Sequence, residues 1–484
     1  MEGSNMLKDT LLAQLEDPAL VRTAEQDQPN YWNNDPKSLV TTANVGSIAF
    51  GTGQGIYQSS ILPAIKDAQS EVIIVTCFWA HSDTLVELND ALRKLSAKAI
   101  HAGKTIRVRI CFSSSSLWQK LLHTASLTGY TYASARWQSR LGLPPPEELQ
   151  GLDLEVKSIF VLPFSVMHPK FVIIDRRQVF LPSCNVSWED WFEGCMELSG
   201  LITEHFVKFW QEFWASDGDR MHTLRNISSM TEQQNTAERP ADGLLASKFI
   251  GLNNIRAVFL PSPHHRNPQF TLPWLQFPSP PPPTPLNICL LALFARAEHT
   301  IFVQTPNLTS PPVLAALSAA LRRGVNVHIK TSERLMVLEQ LVTAGTTTKR
   351  CVDWLVEQHA QLMRQRSEGT THSPADLEAG LVNGLAGDLR VEYFRARIGA
   401  SAEARGEPVQ SHLKLTIVDD RIAVHGSGNM DRASWYTSQE LGVALISAEL
   451  VSEIKGCLAL AMGGRSETVY DGRQSDREVV TLAT

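Results

Sequence analysis

The chain has 484 residues and carries 50 acidic against 44 basic side chains, which gives a formal net charge of −6. Apolar residues make up 43% and charged residues 19%, a globular composition that excludes disorder, collagen and coiled coil. A dedicated nucleic-acid binder usually carries a strongly basic domain, so this charge argues against that class. The length predicts two or three domains that can bury a large core.

Targeting segments are not evident in the sequence. No apolar run approaches the roughly 18 to 20 residues that span a bilayer. The first residues, MEGSNMLKDTLLAQLEDP, contain early acids and lack the apolar core of a signal peptide. We therefore expect a cytoplasmic or peripheral-membrane protein. Seven cysteines without a CxxC pair predict free thiols in a reducing compartment and no structural zinc.

A pattern of short apolar strands and helical stretches occurs twice along the chain. In the first half, a strand at 47–50 precedes a helical stretch at 60–68 and an apolar run at 72–76. The equivalents in the second half are 257–260, 288–297 and 301–305. Each half continues with a second helix that ends at Gly103 or Gly324, since glycine accepts the left-handed cap. The strands that follow span 106–112 and 325–330.

Strands that alternate with helices predict an α/β fold with a mixed, largely parallel sheet. The repeat predicts two similar α/β/α domains, related by a pseudo-twofold axis, with the active site at their interface. The predicted parts are an N-terminal extension at 1–44, a first domain at 45–225, a linker at 226–249, and a second domain at 250–484 with a proline-rich insertion at 261–286. The insertion favours polyproline II, either as a stiff surface loop or as a ligand for a proline-reading module.

Each half carries the same polar motif late in its sequence. The motifs are His168-Pro-Lys170-Phe-Val-Ile-Ile-Asp175 and His412-Leu-Lys414-Leu-Thr-Ile-Val-Asp419, and both read H-x-K-x4-D. An asparagine follows each histidine by 17 residues within a Ser-x-Asn turn, and a glutamate follows by 29 or 28 residues. These residues are Ser183, Asn185 and Glu197 in the first half, and Ser427, Asn429 and Glu440 in the second. Such a recurrence indicates function rather than chance.

The residue types in the motif suit displacement at a phosphorus atom. Residues i and i+2 of an extended chain face the same side, so each histidine projects beside its lysine. Two histidines in one cleft can act as nucleophile and as general acid and base, because imidazole titrates near neutral pH. Ammonium groups, together with Ser and Asn donors, can hold the phosphoryl oxygens.

Carboxylates complete the predicted site. We expect one on the far ring nitrogen of each histidine, and Glu197 and Glu440 are the candidates. Asp175 and Asp419 either take part in catalysis or brace the motif within each half. The chemistry requires no metal and no cofactor, and the sequence lacks HExxH and any dense His/carboxylate cluster.

The two motifs, followed by the turns PSCN and GSGN, resemble the paired HKD motifs of the phospholipase D superfamily. The resemblance covers roughly residues 45–215 and 250–462. It implies one shared active site, a covalent phosphohistidine, and metal-independent hydrolysis or transfer of a phosphodiester. It also implies that His168 is the nucleophile and His412 the general acid and base. The residues expected to bind phosphate are Lys170, Lys414, Ser183, Asn185, Ser427 and Asn429.

The motif does not choose among the phosphodiesters on which the superfamily acts. The acidic net charge, Phe78-Trp79 at a strand end, and aromatic residues after the catalytic turns favour a glycerophospholipid substrate and peripheral membrane contact. Those aromatic residues are Trp188, Trp191, Phe192, Trp435 and Tyr436. We expect hydrolysis to phosphatidic acid and a head group, with transphosphatidylation to alcohols, and no stable nucleic-acid partner. The alternatives are a nuclease-type phosphodiesterase acting on DNA or RNA, and a non-catalytic phospholipid-binding scaffold.

Overall fold

The computed structural model describes residues 12–16, 32, 35–116, 118–119, 129–161, 165–187, 190–220, 242–262, 280–368, 386–397 and 406–473. Most of the predicted N-terminal extension, linker and proline-rich insertion lies outside these residues, as do 474–484.

Nineteen strands occur in the described residues. They are β1 (Val40–Thr52), β2 (Glu71–Phe78), β3 (Ile106–Ser114), β4 (Tyr130–Thr131), β5 (Leu152–Ser158), β6 (Phe160–Val161), β7 (Ser165–Val166), β8 (Phe171–Ile174), β9 (Gln178–Pro182), β10 (Trp191–Ser199), β11 (Leu244–Ser262), β12 (Thr300–Thr305), β13 (Asn326–Thr331), β14 (Leu389–Phe394), β15 (Gln410–Ser411), β16 (Leu415–Val418), β17 (Ile422–Gly426), β18 (Glu440–Ile446) and β19 (Ser466–Asp471).

The helices cover the sheet and connect its strands. They are α1 (Gly53–Ile56), α2 (Leu62–Asp67), α3 (Asp83–His101), α4 (Ile202–Phe213), α5 (Asp217–Arg220), α6 (Pro285–Arg296), α7 (Pro311–Arg322), α8 (Val337–Ala344), α9 (Thr348–Glu368), α10 (Arg432–Tyr436) and α11 (Ala448–Met462). As predicted, a glycine with positive φ follows α3 and α7, namely Gly103 at 61° and Gly324 at 91°.

Both halves arrange their strands in the same order. From the middle of the sheet outward, the first half runs β1-β10-β9-β8-β2-β3-β5 and the second runs β11-β18-β17-β16-β12-β13-β14. In each half the last three strands are parallel and the others antiparallel. The α/β class and the mixed sheet are therefore confirmed, although antiparallel pairs extend over more of the sheet than we expected.

The central strands β1 and β11 pair antiparallel, so one sheet continues through both halves. This pairing corrects one boundary. Strand β11 begins at Leu244, so the residues 244–249 assigned to the linker belong to the sheet.

Strand β2 explains why the apolar runs in the sequence are continuous. Ile73 and Val75 pack in a core that includes the buried residues of α4, whereas Val72 and Ile74 pack in a second core with α3. A strand covered on both faces needs apolar side chains at successive positions. The same sandwich of helices supports the motif strand β8, which pairs with β2.

Candidate active site

Each motif histidine is hydrogen bonded to a glutamate from the other half of the chain. Nδ1 of His168 lies 2.9 Å from both carboxylate oxygens of Glu440. Nδ1 of His412 lies 2.7 Å from Oε1 of Glu193. The four side chains are between 0 and 13% exposed. A carboxylate at Nδ1 fixes the orientation of the ring and leaves Nε2 as the atom available to a substrate.

Backbone pairing across the two halves brings each histidine to its glutamate. The His412 N–H donates to the carbonyl of Phe192 at 2.8 Å, and the next residue carries the carboxylate. This bond continues the parallel pairing of β15 with β10. In the same way, the His168 N–H donates to the carbonyl of Gln439 at 2.9 Å, again one residue before the glutamate. The two contacts are equivalent, because in each of them a histidine of one half binds a glutamate of the other half.

Ser183 and Ser427 contact these glutamates, which corrects the prediction that they donate to phosphate. Ser183 Oγ donates to Glu193 Oε2 at 2.5 Å, and Ser427 Oγ donates to Glu440 Oε2 at 2.5 Å. Each hydroxyl also accepts the backbone N–H of the residue after its glutamate. Because a hydroxyl has only one hydrogen to donate, these serines position carboxylates and have none left for a phosphate.

Glu197 does not orient a histidine, so that prediction is wrong. Its carboxylate accepts hydrogen bonds from Ser47 Oγ and Gln178 Nε2, both at 2.6 Å. Glu193 and Glu197 lie four residues apart on one face of β10, a separation of about 13 Å. Glu193 makes the contact with His412. It lies near the start of β10, next to the Ser183 turn, whereas Glu197 lies toward the end of the strand.

Sequence reasoning missed Glu193 because it counted residues from the histidine. The serine of the turn precedes its glutamate by 10 residues in the first half and by 13 in the second. Helix α10 lies within the longer second connection. An alignment of the two strands β10 and β18, rather than of total distances, pairs Glu193 with Glu440.

Lys170 and Lys414 lie beside their histidines and are 1% and 3% exposed. Lys170 Nζ donates to the carbonyl of His168 at 2.8 Å. Lys414 Nζ donates to the carbonyl of His412 at 2.5 Å and also lies 2.8 Å from its Nδ1. An ammonium group has three hydrogens, so each lysine keeps at least one for an anion in the site.

The two motif asparagines have different partners. Asn185 Oδ1 accepts the Thr76 hydroxyl and the next two backbone N–H groups at 3.1–3.2 Å, which leaves its amide NH2 group to donate elsewhere. Asn429 instead donates Nδ2 to Asp431 at 2.9 Å, and its buried Oδ1 has no hydrogen-bond partner among the described residues. Asn185 therefore suits the predicted phosphate contact better than Asn429 does.

Asp175 and Asp419 brace the motifs within each half. Asp175 accepts the backbone N–H groups of residues 69–71 at 2.7–3.1 Å. Asp419 accepts those of residues 298–300 at 2.8–3.0 Å. Both aspartates have positive φ, 52° and 50°, in the turn after the motif strand. Of the two roles left open by the sequence, these contacts favour bracing.

The lysines of both halves affect the pKa of each motif histidine. Burial lowers the pKa of His168, and Lys170 and Lys414 add to this effect against the opposing influence of Glu440. Burial lowers the pKa of His412 to about 3, and the same two lysines act in the same direction. Each histidine lies within electrostatic reach of both lysines, so the two motifs form one site.

The carboxylates remain ionised despite their burial. Burial raises the pKa of Glu193, but His412 and Lys414 outweigh this effect, and the pKa lies below its usual range. Burial likewise raises the pKa of Glu440, and His168 with the neighbouring cations lowers it by more. Burial also lowers the pKa of Lys414 to about 7, so this lysine can exchange a proton near neutral pH.

Among the described residues, Trp191 is the predicted aromatic residue whose ring contacts a motif histidine. Its ring centroid lies 4.8 Å from that of His412. Other members of the expected apolar rim are buried, namely Trp79, Phe192, Trp435 and Tyr436. Trp188 lies outside the described residues. Among the described residues, fewer predicted aromatic side chains are exposed at the site than we expected.

Residues of the second half line two cavities. One of about 400 Å³ is lined by β12, β13 and α11 and contains neither motif histidine. Another of about 20 Å³ borders Lys414 and His425 and has room for about one water. In the described part of the chain, no group of three or more His, Cys, Asp or Glu side chains could hold a metal ion. No helix described there has the length and apolarity required to cross a membrane.

The strand order defines an α/β protein, and each of its two halves carries one H-x-K-x4-D motif. Residues 290–458 match the family model described as "Cardiolipin synthase, PLD-like domain". The chain is also similar to the crystal structure of phosphatidylserine synthase from Haemophilus influenzae Rd KW20, with 13% identity, 88% of each chain covered and a TM-score of 0.50. The chain therefore shares its fold with this synthase, and its second half is similar to the PLD-like domain family.

Two further solved structures have lower TM-scores. The phospholipase D family member Nuc from Salmonella typhimurium is 18% identical, with 38% of this chain and 90% of Nuc covered and a TM-score of 0.24. Polyphosphate kinase from Porphyromonas gingivalis is 10% identical, with 86% of this chain and 50% of the kinase covered and a TM-score of 0.44. No curated protein matches the sequence.

Proposed function

We propose that the protein is a phospholipase D-type phosphodiesterase that cleaves a glycerophospholipid into phosphatidic acid and a free head group. Transfer of the phosphatidyl group to an alcohol is the alternative outcome of the same reaction. The observation that carries the proposal is the crosswise contact of His168 with Glu440 and of His412 with Glu193. Two oriented, buried imidazoles flanked by two lysines suit a two-step displacement at phosphorus.

In the first step, Nε2 of His168 attacks the phosphorus atom. The N–P bond forms as the P–O bond to the head group breaks, and the leaving oxygen takes a proton from His412. The ammonium groups of Lys170 and Lys414 stabilise the negative charge on the phosphoryl oxygens, and the amide of Asn185 adds a neutral donor.

In the second step, a hydroxyl compound displaces His168. His412 accepts the proton of the attacking oxygen, a new P–O bond forms, and the N–P bond breaks. Water yields phosphatidic acid, whereas an alcohol yields a new phosphatidyl ester. Because both nucleophiles compete for one covalent intermediate, an added alcohol changes the product without requiring a second site.

Three observations support a phospholipid over a nucleic acid. The matching family model is named for cardiolipin synthase, and a similar solved structure is a phosphatidylserine synthase; both names refer to phospholipids. The net charge is −6, whereas nucleic-acid binding usually relies on a basic surface. Trp191 places an apolar ring beside His412, where it suits an acyl or head-group chain.

The test is to incubate the protein with phosphatidylcholine vesicles and ethanol and to measure phosphatidic acid and phosphatidylethanol by mass spectrometry. We expect both products, and an acid-labile phosphoryl adduct on His168. His168→Asn and His412→Asn should each reduce turnover by on the order of 10³-fold or more, because residues that act as a unit lose function together.

A parallel reaction with single-stranded DNA distinguishes the alternative. The nuclease alternative would replace the proposed phospholipase if the protein cleaves DNA, if this cleavage decreases steeply with salt, and if no phospholipid is turned over. No turnover of either substrate would refute the proposed phosphodiesterase. An adduct on His412 instead of His168 would reverse the roles of the two histidines and leave the reaction class unchanged.

A further inference from the structure

The two histidines differ in what surrounds Nδ1. At His168 both neighbours of this atom are oxygens of Glu440, which only accept hydrogen bonds. At His412 one neighbour is Oε1 of Glu193 at 2.7 Å and the other is Nζ of Lys414 at 2.8 Å. One site therefore offers Nδ1 only acceptors, whereas the other offers an acceptor and a donor.

A ring nitrogen serves one such partner at a time. Nδ1 carries either a hydrogen, which it donates to a carboxylate, or a lone pair, which accepts from an ammonium group. At His168 the carboxylate selects the tautomer with hydrogen on Nδ1 and a lone pair on Nε2. At His412 each tautomer has its own partner, Glu193 for hydrogen on Nδ1 and Lys414 for hydrogen on Nε2.

We propose that Lys414 and Glu193 stabilise opposite tautomers of His412, so that this ring passes a proton between Lys414 and the reacting oxygen while it remains neutral. The inference rests on the proposed function, and it deepens that function by naming the source of the proton. Lys414 then acts on the reaction through His412, in addition to binding phosphate.

The proton balance of both steps is closed. In the first step, the Nε2–H of His412 protonates the leaving oxygen while Lys414 gives a proton to Nδ1, so that neutral lysine and the Glu193-bonded tautomer result. In the second step, Nε2 takes the proton of the attacking water or alcohol, and Nδ1 returns its proton to Lys414. Imidazolium and imidazolate are both avoided.

The charges around the ring favour this route over a conventional imidazolium acid. His412 faces Glu193 and the cations Lys414 and Lys170; burial lowers its pKa to about 3, which keeps the ring neutral. Lys414 faces the same glutamate and Lys170, with Glu440 and Asp431 nearby. Burial lowers its pKa to about 7, so it can give and regain a proton at neutral pH.

Lys170 provides the matched control. It is equally buried, and it donates to the carbonyl of His168 without a contact to Nδ1. Replacing either lysine by methionine removes one phosphate-binding charge, but only Lys414→Met removes a partner of a ring nitrogen. The two variants therefore separate proton transfer from charge stabilisation.

The first test observes the tautomers directly by ¹⁵N NMR of histidine-labelled full-length protein. His412→Gln assigns the resonance. We expect a neutral His412 ring whose hydrogen shifts from Nε2 to Nδ1 as the pH rises through about 7, because Lys414 then loses its proton. In Lys414→Met the neutral ring should stay in the Nδ1–H form on both sides of pH 7, whereas Lys170→Met should keep the shift. A ring that titrates to imidazolium near pH 6.5, or one unaffected by Lys414→Met, would overturn the inference.

The second test compares substrates that differ in the leaving group. An alkyl phosphodiester needs a proton on the departing oxygen, whereas bis(p-nitrophenyl) phosphate releases a stable phenolate. We expect Lys414→Met to lower turnover of the alkyl ester by about 10²- to 10⁴-fold more than that of the nitrophenyl ester. Lys170→Met should impair both substrates alike. Equal losses in both variants would restrict Lys414 to phosphate binding.

The NMR readout needs no turnover, so the two hypotheses fail separately. Absence of phosphodiester cleavage with intact tautomer behaviour would remove the proposed function alone. Phosphodiester cleavage with a His412 tautomer that does not change with pH would refute only the proton transfer through His412. The His168 resonance, expected in the Nδ1–H form throughout, reports whether each variant retains the native site. Lys414→Arg gives a second variant that keeps the positive charge but cannot release a proton.

Discussion

Replacing Glu193 by glutamine removes a buried charge that orients His412, and Glu197→Gln is a matched change on the same strand. Glutamine keeps the size of the side chain in both variants. Glu193 is 1% exposed and lies 2.7 Å from the histidine. Glu197 instead bonds Ser47 and Gln178, about 13 Å away along β10.

The expected loss for Glu193→Gln is about 10- to 10⁴-fold in kcat. A hydrogen bond to a charged partner contributes about 1.5–3 kcal/mol, equivalent to roughly 10- to 150-fold in rate. The upper end applies when the ring also adopts an unproductive tautomer, since amide for carboxylate in a catalytic triad costs about 10⁴-fold. Glu197→Gln should change kcat by less than about threefold, as substitutions away from a critical network cost within about 0.5 kcal/mol.

The assay is release of phosphatidic acid from phosphatidylcholine vesicles, with thermal denaturation of each variant to establish that it is folded. A single-turnover measurement separates formation of the phosphoryl adduct from its breakdown. Both steps should slow in Glu193→Gln, because His412 serves each of them.

The reverse result would refute the reasoning. If Glu197→Gln abolished activity in a folded protein while Glu193→Gln retained it, the spacing in the sequence would have identified the correct glutamate. The crosswise contact at His412 would then have no part in the reaction.

Three further predictions concern stability, pH and substrate. Asp175→Ala should lower the free energy of unfolding by about 1–3 kcal/mol in urea, because residues 69–71 lose their acceptor; an unchanged midpoint contradicts bracing. His412 has a folded pKa of about 3, so the unfolded state binds more protons between about pH 6.5 and pH 3, and stability should decrease as the pH is lowered through this range. His412→Gln should reduce that slope by up to about 1.4 kcal/mol per pH unit, and an identical slope would show a charged ring. Trp191→Ala should raise KM for phospholipid about tenfold and Trp191→Phe much less; equal KM values would exclude a substrate contact.

Local patterns in the sequence predicted the elements that local physics determines. The predicted apolar runs that end at Thr76 and Thr305 lie in β2 and β12. The residues just before these runs donate backbone hydrogen bonds to Asp175 and Asp419. The pairing of histidine with lysine was equally accessible, since their separation of two residues appears directly in the motif.

Contacts between distant residues left no such pattern. His412 and Glu193 are 219 residues apart, and the sheet alone brings them together. Counting residues from the histidine selected Glu197 instead of Glu193 as the equivalent of Glu440. The reason is that α10 makes the connection before Glu440 longer than the one before Glu193. The serines were misassigned for a related reason. Their hydroxyls suit phosphate or carboxylate equally, and only the fold shows which one is adjacent.

The crosswise arrangement has a consequence for biosynthesis. His168 is translated 272 residues before Glu440. Until that carboxylate emerges from the ribosome and folds into place, nothing selects the tautomer that exposes a lone pair on Nε2. A nascent or prematurely terminated polypeptide would therefore contain His168 without the carboxylate that orients its ring, and the proposed reactivity would arise only after Glu440 has been translated and folded.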